Sequence, residues 1–154
     1  MSAVKTPCIG VCSTGIGDSV CRGCKRFSHE VIAWNGYSNK EKQAVLSRIQ
    51  LLLAQVVANK FVVFDSGRLL QQIQNQKIRI NATANPYCWL FDLLKAGANQ
   101  IHAMEEFGFR SRQNSENMSA TQLRDAIDLE FFQLSCAHYE RYFILGHNLS
   151  RPEQ

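Results

Sequence analysis

The chain of 154 residues has no long apolar run. Its most apolar stretch, residues 49–64, is interrupted by Gln50, Gln55, Asn59 and Lys60, which argues against a membrane span. The opening residues, Met1 to Pro7, lack the apolar segment of a secretory signal, so the expected location is cytoplasmic. No repeat or low-complexity segment is present. Also missing are a phosphate-binding glycine loop, a nucleophile elbow and a His-Glu-x-x-His pair; Gly15-Ile16-Gly17 follows no strand pattern. Isolated serines therefore have no claim to nucleophilic catalysis. No catalytic residue is assigned, and whether the protein is an enzyme stays open. Charge of one sign is only slightly in excess, at 17 Lys and Arg against 13 Asp and Glu. The excess lies in the first sixty residues, which hold eight basic against three acidic side chains. Four thiolates on a bound Zn²⁺ or [4Fe–4S]²⁺ would add a net charge of about −2 there, leaving a weak case for an anionic partner.

What the sequence does contain is a core and a cluster of cysteines. Apolar residues make up 45%, including nine Phe, which excludes global disorder. The length suits one domain, or a small site-bearing module plus one compact domain. Four of the six cysteines, Cys8, Cys12, Cys21 and Cys24, fall within seventeen residues in the pattern C-x3-C-x8-C-x2-C. In a reducing compartment, clustered cysteines more often bind metal or react than form disulfides. Two close pairs joined by a loop are what four converging thiolates require, and both zinc and iron–sulfur clusters accept four cysteines. Spacing does not separate the two. Cys21-Arg-Gly-Cys24 lacks the strand-before, helix-after setting of a thioredoxin-like dithiol. Gly10, Gly15, Gly17 and Gly23 lie among the cysteines and suit sharp turns, with Gly23 expected to take the tight or left-handed position of the C-x2-C turn. Lys25 and Arg26 read equally as charge balance for an anionic site or as a solvated turn.

The rest of the chain reads as mainly α. A short helix is predicted over 27–35, capped by Ser28, with Phe27, Val31 and Trp34 on one face. Ser38 and Glu41 form a capping box that opens a helix over 39–58, its stripe made by Val45, Ile49, Leu52, Leu53 and Val56. Residues 60–64 suit a strand, 65–67 a turn, 68–75 a helix, and 76–82 a strand or extended loop. Asn85-Pro86 starts a helix that Gly97 closes. A further short helix is predicted over 99–107, with Ile101, Met104 and Phe107 inward, then a loop over 108–117. One long helix follows from Met118 to about Leu145, capped by Ser119 or Thr121 and ended by Gly146, with Leu123, Ile127, Phe131, Leu134 and Tyr142 along its stripe. The expected architecture is a small cysteine-ligated N-terminal module, residues 1–59 with their helix, followed by a compact, mostly helical domain over 60–154, with room for one short β-hairpin.

Pro7-Cys-Ile-Gly-Val-Cys12, Cys21-Arg-Gly-Cys24, Glu30-Val-Ile-Ala-Trp34 and Ser38-Asn-Lys-Glu-Lys42 followed by Ala44-Val-Leu46 resemble the DUF1289 family of small bacterial predicted iron–sulfur proteins. The likeness covers about residues 5–52. It implies that Cys8, Cys12, Cys21 and Cys24 are the ligands, and it favours an iron–sulfur cluster, [4Fe–4S] among the types, over zinc. It implies no activity.

The resulting expectation is an iron–sulfur or metal-binding accessory or electron-handling protein acting with a protein partner. The alternative is a zinc-stabilised module for a protein or nucleic-acid partner. A nucleic-acid role would rest on Arg22, Lys25, Arg26, Lys40, Lys42 and Arg48 with Phe27, Trp34 and Tyr37 between them, although Phe27 and Trp34 also fit a small core. Cys88 and Cys136 read as core thiols, and His29 as a helix-surface residue. A His102–His138 metal site with nearby carboxylates is a weak reading. Oligomeric state is not legible.

Overall fold

The computed structural model describes residues 4–10 and 12–145, with the backbone alone for Ile144 and Leu145. The expected helix end at Gly146 lies outside the described residues. The described chain is mainly α: helices α1 (Ser28–Ala33), α2 (Asn39–Ala58), α3 (Ser66–Asn75), α4 (Pro86–Gly97) and α5 (Ala120–Glu140), with two strands, β1 (Phe61–Val63) and β2 (Phe109–Ser111). Two compact units result, one drawn from Met1–Ile49 and Phe131–Gln154, the other from Gln50–Glu130. The sequence reading placed a division near residue 60, where the charge balance changes. The compact units divide elsewhere, because α2 and α5 each contribute residues to both.

In the first unit, the cysteine loop ends in a narrow reversal. Val20 bridges Phe27 in antiparallel fashion, Cys21 N–H donates to the Arg26 carbonyl at 2.9 Å, and Ser28 N–H donates to the Ser19 carbonyl at 2.8 Å. Helix α1 starts directly after it. Its cap is not Ser28, which is already helical, but the buried Glu30 carboxylate, which accepts from Phe27 N–H at 2.8 Å. Arg48 on α2 forks onto the same carboxylate, at 2.7 Å to Oε2 and 2.6 Å to Oε1. Its guanidinium also lies 4.0 Å from the centroid of the Phe27 ring. The capping box of α2 forms as expected, with reciprocal Ser38 and Glu41 bonds of 3.2 Å each. Phe27, Trp34 and Val45 are buried. From α5 this unit receives Phe131, also buried, and Tyr139, which meets Phe27 edge-on at 5.3 Å.

The second unit holds the main apolar cluster, including Val56, Phe61, Leu69, Ile73, Leu90, Leu94, Phe109, Leu123 and Ile127. Its caps are local. Asp65 accepts from Arg68 N–H at 3.0 Å, so the expected turn at 65–67 is the start of α3. Asn85 accepts from Tyr87 N–H at 2.9 Å beside Pro86. Ser119, rather than Thr121, caps α5 by exchanging bonds with Gln122. β1 forms where predicted, but its antiparallel partner is β2, inside the expected 108–117 loop, in the register Phe61 to Ser111, Val62 to Arg110 and Val63 to Phe109. Residues 76–82 form no strand. The predicted helix over 99–107 is instead two 3₁₀ turns, Ala98–Gln100 and Met104–Phe107, separated by extended residues at Ile101 and Ala103. The extended backbone at Ile101 and Ala103 breaks the helix, yet Ile101 is buried and Met104 and Phe107 pack against the core as expected.

The α5 stripe also departs from its predicted course. Leu123, Ile127 and Phe131 are buried, but Leu134 and Tyr142 are exposed, and the next buried position is Ser135. The burial therefore advances by four residues each time. A serine is tolerated there because its hydroxyl donates back to the Phe131 carbonyl at 2.7 Å. Beyond Glu140 the helix widens into a π turn over Arg141–Leu145.

Two substitutions test these constraints. Gly108 has φ +80°, accepts from both Phe64 N–H and Asp65 N–H, and a Cβ there would overlap the Asp65 carbonyl oxygen. Gly108→Ala is expected to lower stability by roughly 2–3 kcal/mol, seen as a lower urea midpoint. Arg48→Met leaves the Glu30 carboxylate buried without its cation and is expected to cost roughly 3 kcal/mol, whereas the Glu30→Met/Arg48→Met double variant should be clearly less damaged in the same assay.

Candidate metal centre

The six cysteines are thiols in very different settings. Cys21 and Cys24 are buried, while Cys8 and Cys12 are exposed. The C-x2-C turn is built as a knuckle. Lys25 N–H donates to the Cys21 carbonyl at 2.9 Å. The left-handed residue that closes the turn is Lys25, with φ +65°, and not Gly23 as expected. The positive φ values among the neighbouring glycines are at Gly10 and Gly17. Because Lys25 reverses the chain, its side chain lies back over the turn, where the ammonium donates to the Arg22 and Gly23 carbonyls and sits 5.1 Å from the centroid of the Phe131 ring.

The electrostatics favour thiolate on this pair unevenly. Burial works to raise Cys21, but backbone amides of Cys24, Ser13 and Gly23 around its sulfur, helped by the Cys24 thiol, outweigh it and hold it at about 7. For Cys24, burial wins and the thiol is raised, against the opposing Arg26 guanidinium, whose Nε donates to Cys24 Sγ at 3.2 Å. Arg26 is itself buried and faces Trp34 at 4.9 Å from the ring centroid. The solvated-turn reading of Lys25 and Arg26 is thus replaced: both are buried, at 2% and 4% exposure.

The first cysteine pair is placed differently. Gly10 N–H approaches Cys8 Sγ at 3.4 Å, and Cys12 Sγ lies 3.1 Å from the Thr14 hydroxyl. Ser13, next to Cys12, links this segment to the knuckle by accepting from Arg22 N–H at 2.8 Å. Among the described residues no three His, Cys, Asp or Glu side chains converge as a metal-binding group. The structure therefore brings Cys21 and Cys24 together and does not assemble the four-thiol set.

The remaining candidates join no metal-binding group among the described residues. Cys88 is buried on α4, donates toward the Gln50 carbonyl at 3.4 Å, and is pushed up to about 11 by burial and by Asp92. Cys136 on α5 is raised by partial burial and by Asp18 and Glu140, with Arg22 opposing. His29 is exposed and packs on Phe143 at 4.7 Å and Phe27 at 5.9 Å between ring centroids. His102 and His138 fall in different units and join no described metal-binding group. Of the basic and aromatic side chains considered for nucleic acid, Lys25, Arg26, Phe27 and Trp34 are buried and Arg48 is committed to Glu30. No helix of the described residues is long and apolar enough to cross a membrane. The sequence gives Arg26 one of its two readings correctly, charge balance at the cysteines. It does not reveal the role of Glu30, although Glu30 three residues after Phe27 is a legible signal for a cap.

The fold and these contacts define a small cysteine-knuckle module capped by a short helix. A family model described as a protein of unknown function, DUF1289, matches residues 6–52. Two relatives, each named uncharacterized protein YdhL, come from Escherichia coli (strain K12) and Shigella flexneri. Each is 41% identical over 58 residues, covering 37% of this chain and 72% of theirs. The chain belongs to the DUF1289 family. No solved structure matches it.

The Cys21 assignment has a pH signature in metal-free protein. Its folded value lies below the ordinary 9.0, so ionisation contributes stability that is full above that ordinary value and is lost as pH falls through about 7. Ultraviolet thiolate absorbance should show a titration with a midpoint at about 7 that vanishes in Cys21→Ser. A first thiol midpoint near 9 would refute the arrangement of amides around this sulfur.

Proposed function

We propose that Cys8, Cys12, Cys21 and Cys24 ligate an iron–sulfur cluster of the four-cysteine type, [4Fe–4S] being one form that fits the ligand count, and that the protein is an accessory or electron-handling partner of another protein. The observation that carries this reading is the knuckle. Three backbone amides surround the Cys21 sulfur and a buried guanidinium donates to the Cys24 sulfur. Donors aimed at sulfur stabilise the ionised thiol, which is the form that binds metal. The donor set fits a cluster or zinc by chemistry. Full ligation would draw the exposed Cys8 and Cys12 onto the Cys21–Cys24 pair.

Within that reading each residue has a defined task. Lys25 fixes the turn that carries both knuckle sulfurs. Arg26 places positive charge against Cys24 and keeps its own charge out of water. Phe131 and Trp34 supply the apolar walls against which these cations rest. A bound cluster would supply one-electron transfer, whereas zinc would supply only a structural cross-link. Cysteines used this way fit the cytoplasm, where thiols stay reduced. The zinc-stabilised binding module is the second reading, since the same knuckle geometry suits a tetrahedral ion.

Anaerobic purification followed by a visible spectrum and metal analysis separates the two. The expected result is a brown protein containing iron and sulfide, whose colour is lost when Cys8, Cys12, Cys21 or Cys24 is replaced by Ser. A colourless protein carrying one equivalent of zinc after strictly anaerobic handling would overturn the cluster reading.

A further inference from the structure

The unit Gln50–Glu130 carries a polar cleft built on its small sheet. Along β2 and just beyond, burial alternates: Phe109 is buried, Arg110 exposed, Ser111 half-buried and Arg112 exposed. Two guanidinium groups two residues apart on extended backbone therefore leave the same face. Val62 stands opposite Arg110 in the register and shares that face. The 3₁₀ turn Gln113–Ser115 then folds the chain over one end. The result is a concavity of about 560 Å³ whose lining includes Val62, Arg110, Arg112, Gln113, Asn114 and Glu116. That volume lies within the span of about 300–1,000 Å³ usual for small-molecule sites.

The chemistry of the lining is selective. Arg112 is anchored, its Nε donating to the Ala58 carbonyl at 2.6 Å and its backbone N–H to the Lys60 carbonyl at 2.9 Å. Among the described residues neither Arg110 nor Arg112 has a carboxylate partner within ion-pair distance. Ion pairs among the described residues include those of Arg22, Arg48, Lys60, Arg68, Lys95 and Arg124. Two forked cations on one wall suit the oxygens of a phosphate. Gln113 and Asn114 add neutral amides. Glu116 adds an acceptor that repels a bare anion but takes a hydroxyl proton. Val62 supplies a small apolar floor.

We propose that this cleft binds a small phosphate monoester bearing a hydroxyl group, with Arg110 and Arg112 on the phosphate and Glu116 on the hydroxyl. All of its lining lies beyond residues 6–52, where the family model matches. It is independent of any metal at the cysteines.

The test uses the full-length chain and nuclear magnetic resonance titration with three probes: glucose 6-phosphate, inorganic phosphate and glucose. Glucose 6-phosphate should give saturable shifts at the Gln113 and Asn114 side-chain amides. Inorganic phosphate should bind more weakly at the same place, and glucose should give none. Arg110→Gln, at an exposed position, should weaken glucose 6-phosphate roughly tenfold while leaving the melting curve unchanged. Glu116→Gln should narrow the gap between glucose 6-phosphate and inorganic phosphate. Absence of saturable shifts up to millimolar concentration, or undiminished binding by Arg110→Gln, would overturn the site. Equal affinity for glucose 6-phosphate and inorganic phosphate in the unaltered protein would overturn the monoester assignment.

Discussion

The Glu30 carboxylate is the constraint on which the cysteine module depends. It takes one hydrogen bond from the backbone N–H of Phe27 and two from Arg48. The first fixes where the knuckle ends and α1 begins. The other two tie α1 to α2, and they hold the Arg48 guanidinium over the Phe27 ring. A carboxylate this deeply buried is tolerable only because its lone pairs are so fully used. The arrangement costs desolvation, and its return is specificity: Phe27 has one position, so the antiparallel contact of Val20 with Phe27 has one register, and the Cys21 and Cys24 sulfurs inherit it.

That rigidity gives the knuckle its chemistry. A thiol in an apolar setting resists ionisation, as Cys88 does. Cys21 is equally withdrawn from solvent yet is driven the other way by amides held around its sulfur. Amide donors set Cys21 apart, whereas at Cys88 burial and the nearby Asp92 charge both act against ionisation. In the knuckle, the positive φ of Lys25 turns the chain back on itself. On α4, the backbone amides are already spent within the helix.

Much of the fold was legible where its cause is local. The capping box at Ser38 and Glu41, the Asn85-Pro86 start and the span of α2 follow from side chains bonding to backbone within a few residues. Reading failed where the cause is distant. β2 carries no strong strand signal and is extended because β1, nearly fifty residues earlier, supplies its partner. Ser135 replaces Leu134 in the buried stripe because the helix period, together with a back-bond to Phe131, outweighs hydrophobicity at a single position. Of the candidate site, the four cysteines were legible by spacing alone. The partners that distinguish them were legible only for Arg26, read as charge balance; Ser13 and Phe131 acquire meaning only through contacts.

The sequence by itself determined that this is a mainly helical chain with a four-cysteine pattern at its N-terminal end, because spacing, caps and apolar periodicity are local properties of the chain. Tertiary structure decided which thiols are poised and which are exposed. It decided that Lys25 and Arg26 are buried cations, and that Arg110 and Arg112 share one face of a small sheet with Val62. These outcomes depend on groups far apart in sequence meeting at a few ångströms. Desolvation and hydrogen-bond direction act only at that range.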